Sequence, residues 1–299
     1  MTLLEENPNT PPRRWTEPGV LYIIATPIGN RADLSERARL VLCAVDCLAA
    51  EDTRHVKRLT QNLPVRGDLI SLHQHNENAA TEKILARLHQ GQSVGLVSDA
   101  GTPLISDPGY GLVAAVRGAG FTVSPIAGPS AVIAALSASG LPAQPFWFEG
   151  FLPAKASARE QRLQQLAALQ ATLVFYEAPH RIEATLQSVA TVIGGAHPAA
   201  LARELTKRHE QIVNAPVAAL QAMLQQGEIP VRGEMVLLLG PAGSSREDEQ
   251  DKALTQQLIQ TMLDADIAPR AVVDVVRKMT GAARNTVYKQ VMQASKEQR

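Results

Sequence analysis

Short apolar runs alternate with amphipathic stretches over roughly the first 126 residues of the chain. Short runs rich in Val, Ile and Leu are typical of strands buried on both faces, and the stretches between them have the spacing of helices with one apolar side. The predicted strands are residues 21–25, 47–50, 69–72, 94–97 and 121–126. Because strands alternate with helices, this half of the chain is predicted to form a doubly wound parallel sheet.

Helices are predicted in three of the stretches between these strands. The first covers residues 34–44, with Asp33 as its N-cap, because a short side chain that accepts a hydrogen bond favours a helix start. The second contains Ile84 and Leu88 on one face and ends at Gly91, and the third covers residues 111–117.

The second half of the chain alternates less regularly. Strands are predicted at residues 146–151, 171–176, 199–202, 210–213 and 233–240. Helices are predicted at residues 131–139, with Ser130 as N-cap, and at 157–169, 182–192 and 216–226. Since some strands follow one another without an intervening helix, a mixed sheet is favoured over a second parallel one.

A polar linker at residues 242–248 precedes three predicted helices, at residues 251–263, 269–279 and 283–294. A short turn at 280–282 leads into a basic helix with Arg284 and Lys289, which is typical of helix-turn-helix docking on nucleic acid. The alternative is a solvated helical hairpin. We therefore expect a disordered tail (1–18), an N-terminal α/β domain (19–127), a C-terminal α/β domain (128–242) and a helical appendage (250–299).

Composition and charge narrow the class of protein. The 299 residues are 45% hydrophobic and 19% charged with zero formal net charge, as in an ordinary globular protein. The overall charge does not indicate a nucleic-acid binder, although a local basic face is compatible with it. The two cysteines, Cys43 and Cys47, lack partners at metal-ligand spacing, and with no secretory signal they predict a cytoplasmic protein. No apolar run approaches the roughly 20 residues of a membrane span.

The loop after the fourth predicted strand, residues 98–109, combines turn-forming residues with carboxylate and hydroxyl groups. Gly101 and Gly109 permit close backbone approach, and Pro103 and Pro108 fix the chain direction. The loop also carries Asp99 and Asp107 among several hydroxyl groups. Because ligands of open α/β sheets bind at the carboxyl ends of strands, we expect a ligand crevice here.

Three further strand ends carry acidic and basic residues together, at residues 51–54, 177–181 and 203–208. Surface ion pairing is the simpler interpretation. Because each cluster follows a buried strand, we expect them instead to converge on one cleft between the domains. Their cations would form a rim suited to phosphates; these are Arg54, Arg181, Arg203, Lys207 and Arg208.

Other binding motifs are absent from the sequence. There is no Walker loop, and residues 26–30 after the first strand hold one glycine where a dinucleotide fingerprint needs three. His73 and His75 lie two apart on a strand end, so their side chains diverge, and no metal site is predicted.

Six segments together resemble the tetrapyrrole methylase superfamily. They are residues 26–30, 51–54, 98–109, 127–130, 175–181 and 202–207. The resemblance runs from about residue 19 to 240, and is strongest to the branch that methylates the ribose 2′-oxygen of a cytidine in small-subunit (16S) ribosomal RNA, in its decoding region. It implies S-adenosylmethionine bound in a deep cleft between two α/β domains, and a homodimer.

The resemblance also implies particular site residues. The positions that match cofactor contacts of the family are Ile28, Gly101, Thr102, Ile105, Ser130, Ala131, Tyr176, Leu205 and Met235. Thr102 stands where many relatives have an aspartate, and this departure weakens the case for a tetrapyrrole substrate. The implied partner is small-subunit ribosomal RNA or the 30S subunit, with no membrane.

Methyl transfer to a ribose hydroxyl benefits from a group that accepts its proton. The candidates are Glu51, Asp52, Asp99, Glu177, His180 and Glu204. Asp99, Glu177 and Glu51 are preferred among them as the catalytic base. Contacts to RNA phosphates are expected from Arg54, Arg181, Arg203, Lys207, Arg284 and Lys289.

Two alternatives compete with an RNA 2′-O-methyltransferase. The first is a small-molecule tetrapyrrole methylase on the same scaffold, since a fold does not fix a substrate. The second is a non-catalytic RNA-binding assembly factor, which would bind RNA whether or not S-adenosylmethionine is present. A basic helical tail argues against the first, because a small substrate does not require one.

Overall fold

The N-terminal half of the protein forms a five-stranded parallel sheet. The structure is a computed structural model that describes residues 15–241, 246–265, 267–280 and 284–297. The strands are β1 Val20–Ile24, β2 Cys47–Ala50, β3 Asp68–Ser71, β4 Val94–Val97 and β5 Thr122–Ile126, in the order β3-β2-β4-β1-β5. The parallel sheet predicted from the apolar runs is confirmed.

Helices cover both faces of this sheet. They are α1 Glu36–Ala44, α2 Thr53–Leu59, α3 Glu77–His89 and α4 Tyr110–Gly118. One apolar cluster joins α1 to the sheet through Val41 and Leu42, and another joins α3 and α4 to the opposite face through Ile84 and Leu112. The burial of both faces explains why the strands are apolar throughout.

Two local predictions in this half were wrong. Helix α1 begins at Glu36 and not at residue 34, because the Ser35 hydroxyl accepts the Ala38 N–H at 3.1 Å and caps it. Asp33 lies instead in a short 3₁₀ helix, Arg31–Asp33. Helix α2 was not predicted, because its polar sequence has little apolar periodicity; the Asp52 carboxylate caps its start.

The C-terminal half contains the predicted mixed sheet. Its strands are β6 Phe146–Phe151, β7 Thr172–Glu177, β8 Pro198–Arg203, β9 Gln211–Pro216 and β10 Met235–Leu239, in the order β6-β7-β10-β8-β9. Only the β6–β7 pair is parallel among these neighbours. The antiparallel β10 places its first residue beside the last residues of β7 and β8, and this brings three loop regions to one edge.

The helices of this half divide between the two faces of the mixed sheet. They are α5 Ala131–Ala138, α6 Ala156–Ala167, α7 Pro179–Val192 and α8 Val217–Gln225. Val132 and Leu136 of α5 pack on Val174 and Leu238 of one face. The other three helices pack on the opposite face around Phe175. Helix α5 therefore starts beside the loops of both sheets.

The chain ends in three helices with a separate apolar core: α9 Arg246–Asp264, α10 Pro269–Thr280 and α11 Arg284–Glu297. Their core contains Ile259, Val272, Val276, Val287 and Val291. Residues 1–14 of the expected tail, 242–245 of the expected linker, 281–282 of the expected turn and residue 283 of the expected last helix lie outside the described residues. None of the described helices has the length and apolar character needed to cross a bilayer.

Candidate functional site

The cleft begins where the loops after β1 and β4 are tied together. Thr26 and Gly101 form an isolated antiparallel bridge, with N–H to carbonyl distances of 2.8 and 3.0 Å. Gly101 has φ +81°, a conformation that favours glycine. The bridge holds the backbone of the β4 loop close to Ile28, which borders the cleft.

The rest of the 98–109 loop turns repeatedly through left-handed conformations. Leu104 and Ser106 have φ angles of +76° and +71°, and they flank Ile105, which lines the cleft. Non-glycine residues adopt such angles at a cost, and sites of this kind concentrate at ligand clamps. The Thr102 hydroxyl donates to the Pro129 carbonyl at 3.0 Å and so links this loop to the start of α5.

The second sheet supplies the opposite wall. Tyr176 lies near the end of β7 opposite Val236, and Met235 begins β10 opposite Glu177, the last residue of β7. Leu205 follows β8 between Glu204 and Thr206, which have φ angles of +51° and +65°. This repeats the arrangement around Ile105, with an apolar side chain presented between two left-handed residues.

Together these loops enclose a largely apolar cleft with a cavity volume of about 380 Å³. Every position that the family resemblance implied for the cofactor lies in its lining: Ile28, Gly101, Thr102, Ile105, Ser130, Ala131, Tyr176, Leu205 and Met235. The structure therefore brings together residues from six separate segments of the chain. Whether they contact a cofactor stays a prediction.

The cleft fits the chemical groups of S-adenosylmethionine. Its apolar walls suit an adenine ring, and a volume above about 300 Å³ is typical of small-molecule sites. Among the described residues, none caps the amino end of α5 through a side chain, and Ser130 itself makes no capping bond. The first N–H groups of α5 thus have no helical partners, and they belong to a helix start that lines the cleft at Ser130 and Ala131. This arrangement suits a carboxylate.

Three carboxylates line this cleft, and two of them are engaged. Glu177 is buried, and it accepts hydrogen bonds from the Thr185 hydroxyl at 2.5 Å and the Ala178 N–H at 2.8 Å. Its carboxylate also lies 3.2 Å from the Arg181 guanidinium. Glu234 pairs with Lys207 at 2.9 Å. The third carboxylate, Asp107, makes no ion pair within the part of the chain that the structure describes.

The other two preferred bases lie outside the cleft lining. Asp99 accepts the Asp52 N–H at 3.3 Å, and Glu51 lies at the end of β2. Burial, followed by the charge of Asp99, raises the pKa of Glu51 above its ordinary value. Asp99 and Glu51 thus form an acidic group behind Asp107, and their role as bases stays a prediction, like that of Glu177.

Burial raises the pKa of Asp107 to about 6. The charges of Glu51 and Asp99 add to this rise, while the neighbouring Ser98 hydroxyl opposes it. Burial likewise raises the pKa of Tyr176 to about 12, and the charge of Asp107 contributes. Tyr176 is therefore a neutral phenol at physiological pH, and its ring packs edge-on against Phe148 and Phe151.

The predicted phosphate contacts divide by exposure. The Arg54 side chain is 90% exposed beside Asp52. Arg203 is only 4% exposed, and its guanidinium donates to the His209 carbonyl at 2.9 Å and the Arg232 carbonyl at 3.4 Å. We therefore assign Arg203 a structural role in place of the phosphate contact expected from the sequence.

Of the remaining cations, Arg181 and Lys207 are partly buried, Arg208 is exposed, and the others lie in the helical appendage. Arg181 holds Glu177 and donates to the Leu152 carbonyl, and Lys207 bridges Glu204 and Glu234 at 2.9 Å each. Arg208 and Lys289 are exposed. The side chain of Arg284 lies outside those described. Phosphate binding by these residues stays a prediction.

Sequence reasoning missed some cleft residues, notably Asp107 as a candidate base, Phe151 and Glu234. Asp107 lies inside the loop already identified as ligand-binding, so listing every carboxylate of that loop would have found it. Phe151 is at the end of an edge strand, and no sequence signal distinguishes it from its aromatic neighbours in β6.

Known proteins resemble this chain over most of its length. Residues 20–221 match the family described as Tetrapyrrole (Corrin/Porphyrin) Methylases. The chain is 46% identical to "Ribosomal RNA small subunit methyltransferase I" of Xylella fastidiosa strain Temecula1, over 91% of this chain and 98% of that protein. It is 44% identical to the protein of the same name in Escherichia coli O157:H7, over 92% and 95%.

Solved structures share the fold. One is uroporphyrin-III C-methyltransferase from Thermus thermophilus complexed with S-adenosylhomocysteine, with a TM-score of 0.51 and 17% identity over 74% of this chain and 96% of that one. At this identity the likeness concerns the fold alone. From the family match and from relatives aligned almost end to end, we conclude that the chain belongs to the tetrapyrrole methylase family.

Proposed function

We propose that the protein transfers the methyl group of S-adenosylmethionine to the ribose 2′-oxygen of a cytidine in small-subunit (16S) ribosomal RNA, in the decoding region. The observation that carries this proposal is the 46% identity, over 98% of its length, to a relative named as a small-subunit ribosomal RNA methyltransferase. The similarity extends over 91% of this chain.

The cleft residues would hold the cofactor as follows. The unpartnered N–H groups at Ala131 and its neighbours in α5 receive the carboxylate, and Ile28, Leu205 and Met235 pack on the adenine ring. The backbone N–H and carbonyl groups near Gly101 would bind the polar edge of the cofactor. When bound, S-adenosylmethionine supplies a methyl group on a positively charged sulfur. The protein then contributes mainly by fixing the distance and direction of attack.

We expect RNA to contact cations near the ends of the strands that border the cleft. The candidates are Arg54 in α2, Arg181 in α7 and Lys207 after β8, with Arg284 and Lys289 of α11 as further contacts. A local basic face formed by these residues would let a chain of zero net charge bind a polyanion. The catalytic carboxylate is drawn from Asp99, Glu177 and Glu51 in the sequence-based prediction.

We also infer a homodimer. Phe146, Trp147 and Phe151 of the edge strand β6 are 42%, 45% and 56% exposed, and aromatic side chains are enriched at protein interfaces. Sedimentation that gives a monomer at micromolar concentration would contradict the dimer. The proposed substrate places the protein in the cytoplasm. The proposed domains are residues 19–127, 128–242 and 250–299, after the tail at 1–18.

Labelled methyl transfer tests the proposed function. The protein is incubated with methyl-labelled S-adenosylmethionine and unmethylated small ribosomal subunits, and the RNA is digested to nucleosides. We expect label on 2′-O-methylcytidine. Label on a base, or no transfer, contradicts the proposal, and methylation of a porphyrinoid precursor instead would favour the tetrapyrrole alternative.

A truncation after Gly243 tests the role of the helical appendage. Because α9–α11 have a separate core, their removal should leave the cleft intact. We expect unchanged affinity for S-adenosylmethionine in calorimetry, and weaker binding to small subunits with a shallower salt dependence. Full RNA methylation by the truncated protein would remove this role.

A further inference from the structure

We infer that Asp107 accepts the proton of the RNA ribose hydroxyl during methyl transfer. The inference rests on the proposed function and names a group that the sequence-based choice of bases did not include. Asp107 lies in the lining of the cleft, on the loop that also presents Gly101, Thr102 and Ile105. It is therefore on the same surface as the residues expected around the cofactor.

The backbone fixes Asp107 in place. Ser106 before it has φ +71°, Pro108 after it has a ring-locked φ, and Gly109 has φ +123°. Across the cleft, the Ser106 hydroxyl approaches Gly150 of β6 so closely that a Cβ there would lie 3.1 Å from it. A side chain held by a constrained loop between two sheets keeps a defined position, as a catalytic group requires.

Hydrogen bonding separates Asp107 from the other cleft carboxylates. Glu177 is committed to Thr185, Arg181 and the Ala178 N–H, and Glu234 is paired with Lys207. The carboxylate oxygens of Glu177 and Glu234 are thus already occupied by donors within the protein. Within the described part of the chain, Asp107 alone of the three has no ion-pair partner.

Negative charges face Asp107 from the neighbouring strand ends. Glu51 follows β2, Asp99 follows β4, and the neutral Tyr176 phenol faces it from β7. The Ser98 hydroxyl hydrogen-bonds to Asp107 and stabilises its ionised form. Together with burial, these groups leave Asp107 ionised at neutral pH yet more basic than an ordinary carboxylate, which suits a general base near pH 7.

The step balances without another reactant. The ribose 2′-oxygen forms a bond to the methyl carbon, and the electron pair of the old carbon–sulfur bond stays on sulfur. The hydroxyl proton passes to an Asp107 carboxylate oxygen and is later released to water. The charge on the sulfonium disappears as the proton reaches the carboxylate, so the cleft carries no extra charge after the step.

The test compares Asp107→Asn with the matched control Asp68→Asn, an exposed residue at the start of β3 that lies outside the cleft lining. Single-turnover methylation of small ribosomal subunits is measured from pH 5 to 9, with saturating S-adenosylmethionine. In the wild type we expect the rate to rise about tenfold per pH unit below the Asp107 pKa and to level off above it, because the base works ionised. Asp107→Asn should lose that inflection and about 10²–10⁴-fold in rate.

Two readouts do not depend on turnover. Calorimetry with S-adenosylhomocysteine should show unchanged affinity for both variants, which also verifies their folding. Carbon-13 NMR of the cofactor-free wild type should show one aspartate carboxyl resonance titrating near pH 6. That resonance should be missing from Asp107→Asn and present in Asp68→Asn.

Several results would overturn the inference. They are a wild-type rate in Asp107→Asn, an unaltered pH inflection, a parallel loss of cofactor affinity that indicates a structural role, or no carboxyl titration between pH 5 and 7. Failure of the wild type to methylate RNA at any pH overturns the proposed function, and with it this step. A normal wild type with a normal Asp107→Asn overturns only the role of Asp107.

Discussion

At the scale of single residues, arginines that look alike in the sequence have different roles in the structure because they differ in burial. Arg54 and Arg181 follow strands and Arg203 ends β8, and each was expected to contact phosphate. The structure leaves the first exposed, pairs the second with a buried Glu177 and encloses the third among backbone carbonyls. Sequence spacing identifies which strand end carries a cation, but the carbonyls that enclose Arg203 come from later loops that spacing does not locate.

Replacement of Arg203 and Arg54 by methionine should separate stability from RNA binding. Arg203→Met leaves the carbonyls of His209 and Arg232 without their donor, so we expect a loss of about 2–3 kcal/mol in the free energy of unfolding. Arg54→Met removes only an exposed pair and should cost less than about 1 kcal/mol, while weakening RNA binding. Urea unfolding and RNA titration measure both, and equal stability of the two variants would contradict the assignment.

Asp107→Asn should be more stable than the wild type at high pH. Because the pKa of Asp107 is raised to about 6 in the folded protein, its contribution to stability is fully present below its unfolded pKa, near 4, and is lost as pH rises through 6. An uncharged asparagine avoids the loss. We expect a gain of about 1–2 kcal/mol at pH 8, discounted for partial exposure, and none at pH 3.5. Urea unfolding at the two pH values checks this, and a gain independent of pH would contradict the raised pKa.

At the scale of helices and strands, uninterrupted apolar runs were sufficient to predict the bounds of buried strands. The β2 and β4 strands match their predicted bounds, because both are fully buried and end at polar residues. Helix α2 was missed because it is polar and short, and the start of α1 was misplaced because Asp33 and Ser35 are both reasonable N-caps. Ser130 occupies the predicted N-cap position of α5, but its hydroxyl does not accept a hydrogen bond from the helix. The first N–H groups of α5 are therefore available to a ligand in the cleft.

Proline at the first position of α5 should test those amides without breaking the helix. Ala131→Pro removes one N–H from the cleft, and proline is well tolerated at a first helical position when the preceding residue is extended, as Ser130 is at ψ 122°. We expect about a tenfold loss of S-adenosylhomocysteine affinity in calorimetry, equivalent to one hydrogen bond to a charged group.

The matched control is Ala156→Pro, the exposed first residue of α6, which follows an extended Lys155 and lies outside the cleft lining. It should leave the affinity unchanged. Equal affinities for Ala131→Pro and Ala156→Pro would show that the start of α5 does not receive the ligand.

At the scale of the whole molecule, the cleft results from how two different sheets meet. The parallel sheet presents the loops after β1 and β4, and the mixed sheet presents the ends of β7 and β8 beside the start of β10. The sequence predicted that strand ends would converge, and the family resemblance identified the positions. Strand order was not predictable from the sequence, since it depends on long-range pairing, and so Phe151 and Glu234 were not placed in the lining.

We propose that S-adenosylmethionine lies between the two sheets and contacts loops of both. A crystal structure of the protein with S-adenosylhomocysteine would locate the ligand. We expect density in the cleft, with the carboxylate at the amino end of α5 and contacts to Gly101 on one side and to Leu205 and Met235 on the other. Density at any other site, or density that contacts the loops of only one sheet, would contradict it.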